Sequence, residues 1–361
     1  MRSASGNMIN FFLKAFAAGI AAVLLIAGGY LYWFSVTHLA PEARIYVVEP
    51  GTALKAFSRQ LYEQNVLPDP HTLVVLAYLK GQQRQLKTGE YRFRTGITAM
   101  ELLDQVVAGR VVEYPFTVIE GWNFKQMMQA LAAAPRVTRT LHNLKPEQVM
   151  ASLGYPGMHP EGRFYPDTYY YPAGMSDLLI LQRAFDKMDR HLHEAWANRA
   201  ADLPLESPDE ALILASIVEK ETGLAGERGL IAGVFTNRLR MGMRLQTDPT
   251  VIYGLGDTYT GRIRTRDLRG PTPYNTYVIK GLPPTPIAMP SGAALKAVVN
   301  PETTRALYFV SRGDGSHEFS ETLEQHNRAV EKYQLQGRKR PNAGSAKGAP
   351  PAGTRTTRAA R

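Results

Sequence analysis

The chain has 361 residues, 42 Lys and Arg against 32 Asp and Glu, a formal charge of +10, and no cysteine, which excludes a disulfide framework, thiolate-held zinc or iron–sulfur, and thiol catalysis. The positive charge suggests a nucleic acid or anionic lipid, but seven of its bases lie between Gly337 and Arg361 with no acid, and Arg2 and Lys14 precede the first acid. The 33 bases and 32 acids between Ser35 and Gln336 nearly cancel, so a broad nucleic-acid-binding face is disfavoured.

The first predicted element is a membrane-spanning helix from Ala15 to Phe34, an uncharged run of the length a bilayer requires, ending in Tyr30, Tyr32, Trp33 and Phe34. Arg2 and Lys14 ahead of it place residues 1–14 in the cytoplasm and the bulk of the chain outside. A cleaved signal peptide is the rival. The apolar run is long for one, and Ala40 is followed by Pro41, a poor cleavage context. Nucleotide-binding signatures are missing: there is no Walker A lysine loop, and Gly254-Leu255-Gly256 lacks the third glycine of a dinucleotide fingerprint. Ser-x-x-Lys and Gly-x-Ser-x-Gly arrangements are missing too.

A strand, glycine turn and amphipathic helix then recur three times. The first unit is Ile45–Val48, Gly51 and a helix over 54–64; the second is Tyr91–Phe93, Gly96 and a helix over 98–108 opened by a Thr98/Glu101 capping box; the third is Phe116–Ile119, Gly121 and a helix over 123–133. Such units can build a binding module or a plain packed scaffold. Residues 137–206 read as mostly helical, interrupted by the aromatic run Phe164 to Pro172, which could stack on sugars or form a core corner. His191 and His193 sit two apart, on different faces of a helix, and read as surface residues rather than metal ligands. From Gly337 to Arg361 the composition predicts a disordered basic tail in weak, salt-sensitive contact with anionic envelope material.

The best-delimited element is a helix over Pro208–Thr222. Ser207 and Glu210 form a capping box, Pro208 suits the first turn, and Gly223 suits a C-terminal stop. Between Ala211 and Val218 only Ser216 is polar, so the helix should be buried almost all round. Two carboxylates close it. With Ser216 and Lys220 marking the polar side, Glu221 lies ~60° from the centre of the apolar face and Glu219 ~100°, which makes Glu221 the more buried. Burial and the negative helix end both raise a carboxyl pKa, as a general acid working near neutrality requires. Two ordinary solvated glutamates at a helix end remain the plain alternative.

The blocks ASIVEKET (from Ala215), Asn237-Arg238-Leu239, MRLQTDPTVIYG (from Met243), Tyr274-Asn275-Thr276-Tyr277 and Gly281-Leu282-Pro283-Pro284 resemble the endolytic murein transglycosylase family, MltG or YceG-like. Gly89-Glu90-Tyr91-Arg92-Phe93, Glu120-Gly121 and Phe164-Tyr165-Pro166-Asp167-Thr168 share the resemblance, which runs through most of the chain after the anchor. It implies an α+β protein of the bacterial inner membrane: one transmembrane helix (15–34), a LysM-like module (35–115) and a periplasmic catalytic domain (116–336). The implied activity is internal cleavage of peptidoglycan strands at the β-1,4 bond between N-acetylmuramic acid and N-acetylglucosamine, leaving 1,6-anhydro ends, with no cofactor or metal.

The family's catalytic glutamate maps onto Glu221. A parallel with goose-type lysozyme, whose helix ends in Glu-Ser, gives the same assignment, with Thr222 replacing Ser. Glu219, Gln246, Asp248, Tyr274, Asn275 and Tyr277 are the expected substrate contacts, although Asp248 and the tyrosines suit internal hydrogen bonding equally well. Penicillin-binding synthases are partners by analogy, nucleic acid is not, and a membrane-anchored, non-catalytic peptidoglycan-binding scaffold is the competing function.

Overall fold

A computed structural model describes residues 3–335; the basic tail expected from Gly337 to Arg361 lies outside them. In chain order its elements begin with α1 (Ser3–Val36), β1 (Tyr46–Val48), α2 (Leu54–Glu63), α3 (Thr72–Leu79), β2 (Gly89–Tyr91), α4 (Ala99–Ala108) and β3 (Glu113–Thr117). There follow α5 (Phe124–Ala133), α6 (Pro146–Ser152), β4 (Thr168–Pro172), α7 (Asp177–Ala197), α8 (Pro208–Glu221), α9 (Arg228–Arg240) and α10 (Asp248–Leu255). The last are α11 (Thr265–Arg269), α12 (Gly292–Val299), β5 (Tyr308–Ser311), β6 (His317–Ser320) and α13 (Leu323–Val330). The architecture is mixed α and β, with the strands in two-stranded antiparallel pairs β1–β2, β3–β4 and β5–β6.

The chain divides into two compact units, the first made of Met1–Thr117, Leu131–His142 and Thr168–Ile180, the second of Val118–Ala130, Asn143–Asp167 and Leu181 onward. The simple division expected at residue 115 does not anticipate the two returns of later chain into the first unit. Their cause is strand pairing: β3 finds its partner in the aromatic run, with Glu113 opposite Pro172 and Thr117 opposite Thr168. The third strand–helix repeat therefore differs from the first two, whose strands pair with each other, Tyr46 opposite Tyr91.

Within the first unit, α1 carries an apolar stretch from Asn10 to Val36, long enough to cross a membrane. Phe34, expected at the bilayer interface, is instead fully buried in the unit's core, with Leu31 packed beside it. Leu39 and Gly96 extend this junction, with Leu39 N–H donating to Ile97 O and Gly96 N–H to Leu39 O. The core joins Tyr46, Tyr91 and Phe93 to Phe57 and Leu61 of α2 and to Leu102, Leu103 and Val106 of α4. The Thr98/Glu101 capping box is present in both directions, at 3.2 and 2.9 Å. The unheralded helix α3 is apolar nearly throughout, so it offers no periodic stripe from which to read it.

The second unit is built around α8. Every residue from Ala211 to Val218 is buried, against Met188 and Leu192 of α7, Ile231 and Phe235 of α9, and Leu295 and Val298 of α12. Each such large apolar side chain contributes roughly 1.5–3 kcal/mol. Even Ser216 is enclosed: it donates to Ile213 O and accepts from Ile287 N–H. Gly233 on α9 lies so close to the strand of chain at 302–304 that a Cβ would stand 2.4 Å from Glu302 O and 2.9 Å from Thr304 Cγ2. Because a backbone carbonyl cannot yield as a side chain does, Gly233→Ala is expected to cost about 2–3 kcal/mol in denaturant unfolding. Unchanged stability would refute this close approach.

Candidate active site

The local chemistry of α8 sets the site. At its start Ser207 Oγ accepts Glu210 N–H at 3.2 Å, while the Glu210 carboxylate takes Glu206 N–H rather than the cap's own, so the expected box closes one residue earlier. At its end the helix stops because Thr222 turns extended (φ −142°), its hydroxyl accepting Leu224 N–H; Gly223 is not the left-handed stop expected. Glu221 is thus the last helical residue.

Glu221 opens into a cleft of about 500 Å³. The cleft is lined by Glu221, Arg238, Leu245, Gln246, Asp248 and Tyr277, and by Tyr308, Phe309 and His317 of the β5–β6 hairpin and His326 of α13. Thr247, the residue before α10, donates its hydroxyl to Glu221 Oε1. Burial pushes the Glu221 carboxyl up to about 7; the Thr247 hydrogen bond opposes this, neighbouring Asp248 adds to it, and the His317 and Arg238 charges oppose it. A carboxyl poised there can both give and take a proton near neutrality.

Two of the sequence blocks, that from Met243 and that of Tyr274–Tyr277, meet beside this group. Gln246 N–H donates to Thr276 O, Thr247 N–H to Thr276 Oγ1, and Thr250 Oγ1 lies 2.8 Å from Thr276 Oγ1, all within a buried hydroxyl cluster. Gln246 itself takes a left-handed backbone (φ 51°), the sharp turn that sends α10 off from Glu221. Tyr277 donates to Asp248 Oδ1 at 2.7 Å, and burial followed by that carboxylate raises the phenol's pKa far above its usual value. Arg238, absent from the expected contacts, secures the loop from below by donating to the carbonyls of Leu307, Arg244 and Leu245.

Three of the expected contact residues lie elsewhere. Glu219 is not on the cleft: its side chain is only 6% exposed, accepts Ser291 N–H at 3.0 Å and Ser291 Oγ–H at 2.5 Å, and faces Arg228 at 3.6 Å. Both glutamates are thus part-buried, and what separates them is that Glu219's charge is partnered by Ser291 and Arg228. Asn275 is fully buried, its amide donating to the carbonyls of Asp267, Leu268 and Gly270. Tyr274 packs edge-on to Tyr253 and shares a hydrogen bond with Thr285.

In the aromatic run, Phe164, Tyr169 and Tyr171 are core residues, while Tyr170 is exposed on β4. His191, expected on the surface, is half covered by stacking on Tyr165 at 4.3 Å. The hairpin that lines the cleft had a readable signal: Tyr308–Ser311 and His317–Ser320 flank a Gly-Asp-Gly turn, a hairpin pattern.

Comparison with known proteins agrees with the resemblance in the sequence. A protein of Bacillus subtilis named endolytic murein transglycosylase is 28% identical over 331 residues, covering 86% of this chain and 91% of its own. A Streptococcus pneumoniae protein of the same name is 26% identical over 367 residues; the match takes in 89% of this chain but 65% of that longer protein. The crystal structure of a yceG-like protein from Listeria monocytogenes, at 2.6 Å, aligns with a TM-score of 0.51 and 26% identity over 79% of this chain and 98% of that one. The model of the YceG-like family matches residues 46–332, and the chain belongs to that family.

Proposed function

We propose that this protein is an endolytic lytic transglycosylase of peptidoglycan. The supporting observation is a single carboxyl, Glu221, held protonatable near pH 7 at the mouth of a cleft whose other carboxylate, Asp248, is engaged by Tyr277. Glu221 gives its proton to the oxygen bridging N-acetylmuramic acid and N-acetylglucosamine. The muramyl C6 hydroxyl attacks C1, its proton returns to Glu221, and the cut end closes as a 1,6-anhydro sugar without consuming water. One carboxyl in both roles removes the need for a second at the fixed separations of ordinary glycosidases. Gln246, Asp248 and Tyr277 line the path of the glycan, with Tyr308 and Phe309 on the cleft wall.

Helix α1 anchors the protein in the inner membrane, with its N-terminus cytoplasmic; residues 35–115 form a LysM-like module, and the cut terminates nascent strands near penicillin-binding synthases. Mass analysis of glycan strands incubated with the purified protein tests the reading. New 1,6-anhydro ends inside long strands are expected. Reducing ends would make it a hydrolase, and intact strands that nonetheless bind would make it a scaffold.

A further inference from the structure

Along with Glu221 the cleft holds an imidazole that the mechanism above leaves unused. His317, the first residue of β6, lines the cleft, whereas the glutamate that holds it does not. Glu227 accepts the backbone N–H of His317 on Oε1 at 2.9 Å and faces the ring Nδ1 with Oε2 at 2.7 Å. Both side chains are largely enclosed, 11% and 16% exposed, and Phe309 packs edge-on against the ring at 5.4 Å. A carboxylate in that position demands the proton on Nδ1. With the proton on Nδ1, the lone pair of the uncharged ring form is on Nε2, at the edge away from Glu227. Glu227 belongs to the single turn Ala225–Glu227 that follows α8, so the segment that presents Glu221 also sets the ring. The field of His317 reaches the Glu221 carboxyl.

We infer that the Glu227–His317 dyad is a second proton-handling element of this site, which relays the proton of the attacking hydroxyl. The inference rests on the transglycosylase reading above. Glu221 protonates the bridging oxygen, and the C1–O bond breaks with its electron pair leaving on that oxygen. The C6 oxygen bonds to C1 and its proton passes to His317 Nε2; the imidazolium, paired with the Glu227 carboxylate, then returns the proton to the Glu221 carboxylate. Both groups are restored after each cut, and no water or further reactant enters. A ring held in one tautomer by a buried carboxylate is the arrangement that lets an imidazole serve as base without reorienting.

The charged and titratable groups that share the cleft with His317 are Glu221 on α8, Arg238 on α9, Asp248 on α10, Tyr277, Tyr308 on β5 and His326 on α13, with Glu227 behind the ring. In the full-length protein acting on glycan strands, His317→Gln is expected to lower kcat about 100-fold while KM changes less than about twofold. It should also change the shape of the pH–rate profile, which a merely structural role would leave as it is. Glu227→Gln is expected to lower kcat about tenfold, and the double variant to be no worse than His317→Gln alone, because the two act as a unit.

Wild-type kcat in His317→Gln, or a lower kcat with an unchanged pH profile, overturns the relay and leaves the transglycosylase reading standing. A wild-type protein that releases no anhydro ends overturns both. Nitrogen NMR of the imidazoles in the wild-type protein tests the arrangement independently of any variant's folding: a His317 ring with its proton on Nδ1 is expected, and the Nε2-only tautomer overturns the relay.

Discussion

Glu221→Gln is expected to lower the release of anhydro ends by about 10³-fold or more, because it removes the carboxyl whose proton the leaving oxygen takes. Gln retains an oxygen for the Thr247 hydroxyl, so the protein should fold as before. Its stability should even rise on the alkaline side. The folded site raises the Glu221 pKa from 4.5 to about 7, so charging the group opposes folding: the penalty is absent below pH 4.5, grows through the interval and is complete above 7. Its size is about 2–3 kcal/mol, allowing for the open side of the cleft. Thermal unfolding should find the variant and wild type nearly equal at pH 4.5 and the variant higher at pH 8.

The neighbours of Glu221 add a signed test. Because the negative charge of Asp248 raises the Glu221 pKa, Asp248→Asn should move the alkaline limb of the rate profile to lower pH; Thr247→Val, which removes a donor to the carboxylate, should move it higher. Full activity in Glu221→Gln, or limbs moving together, would remove Glu221 from the acid role.

The start of α8 was readable because local chemistry writes it: Ser207, Pro208 and an apolar run broken only by Ser216 need no partner to declare themselves. The clustering of Gln246, Asp248 and Tyr277 was readable only through the resemblance, since the hydroxyls of Thr247, Thr250 and Thr276 join residues almost 30 positions apart. Pairing at long range was beyond periodicity. Nothing between Glu113 and Thr117 names the aromatic run as its partner, and nothing near Glu219 names Ser291. The contrast between Glu219, held by Ser291 and Arg228, and Glu221, held by Thr247, shows what a helical wheel leaves out. A wheel reports which way a side chain leaves its own helix, whereas a buried carboxylate is governed by the donors that other segments bring to it.

Glu161, a second buried carboxyl that no sequence pattern marked, carries the largest expected effect on stability. It is 3% exposed, accepts Phe124 N–H at 3.0 Å on Oε1 and Tyr253 Oη–H at 3.0 Å on Oε2, and is pushed up to about 7 by burial. It therefore fastens the start of α5 and the side of α10 to one acceptor, α10 being the helix whose first turn brings Asp248 to the cleft. Glu161→Ala would strand a main-chain donor and a phenol in the interior and leave a void, with an expected loss of roughly 3–5 kcal/mol. For a unit of this size that lowers Tm by about 10 °C.

Glu161→Gln separates hydrogen bonding from charge. It keeps an acceptor, adds a buried N–H donor that costs about 1 kcal/mol, and cannot ionise. Since the wild-type carboxyl, raised from 4.5 to about 7, destabilises the fold only when charged, the Gln protein should be slightly less stable than wild type near pH 4.5. Above pH 7 it should be more stable by about 2 kcal/mol, so the two curves of Tm against pH should cross between. Parallel curves would mean that Glu161 is charged at no cost and that its role is only to bridge Phe124 and Tyr253. A crossing would show the protein retaining, beside its cleft, a buried acid whose ionisation works against its own fold.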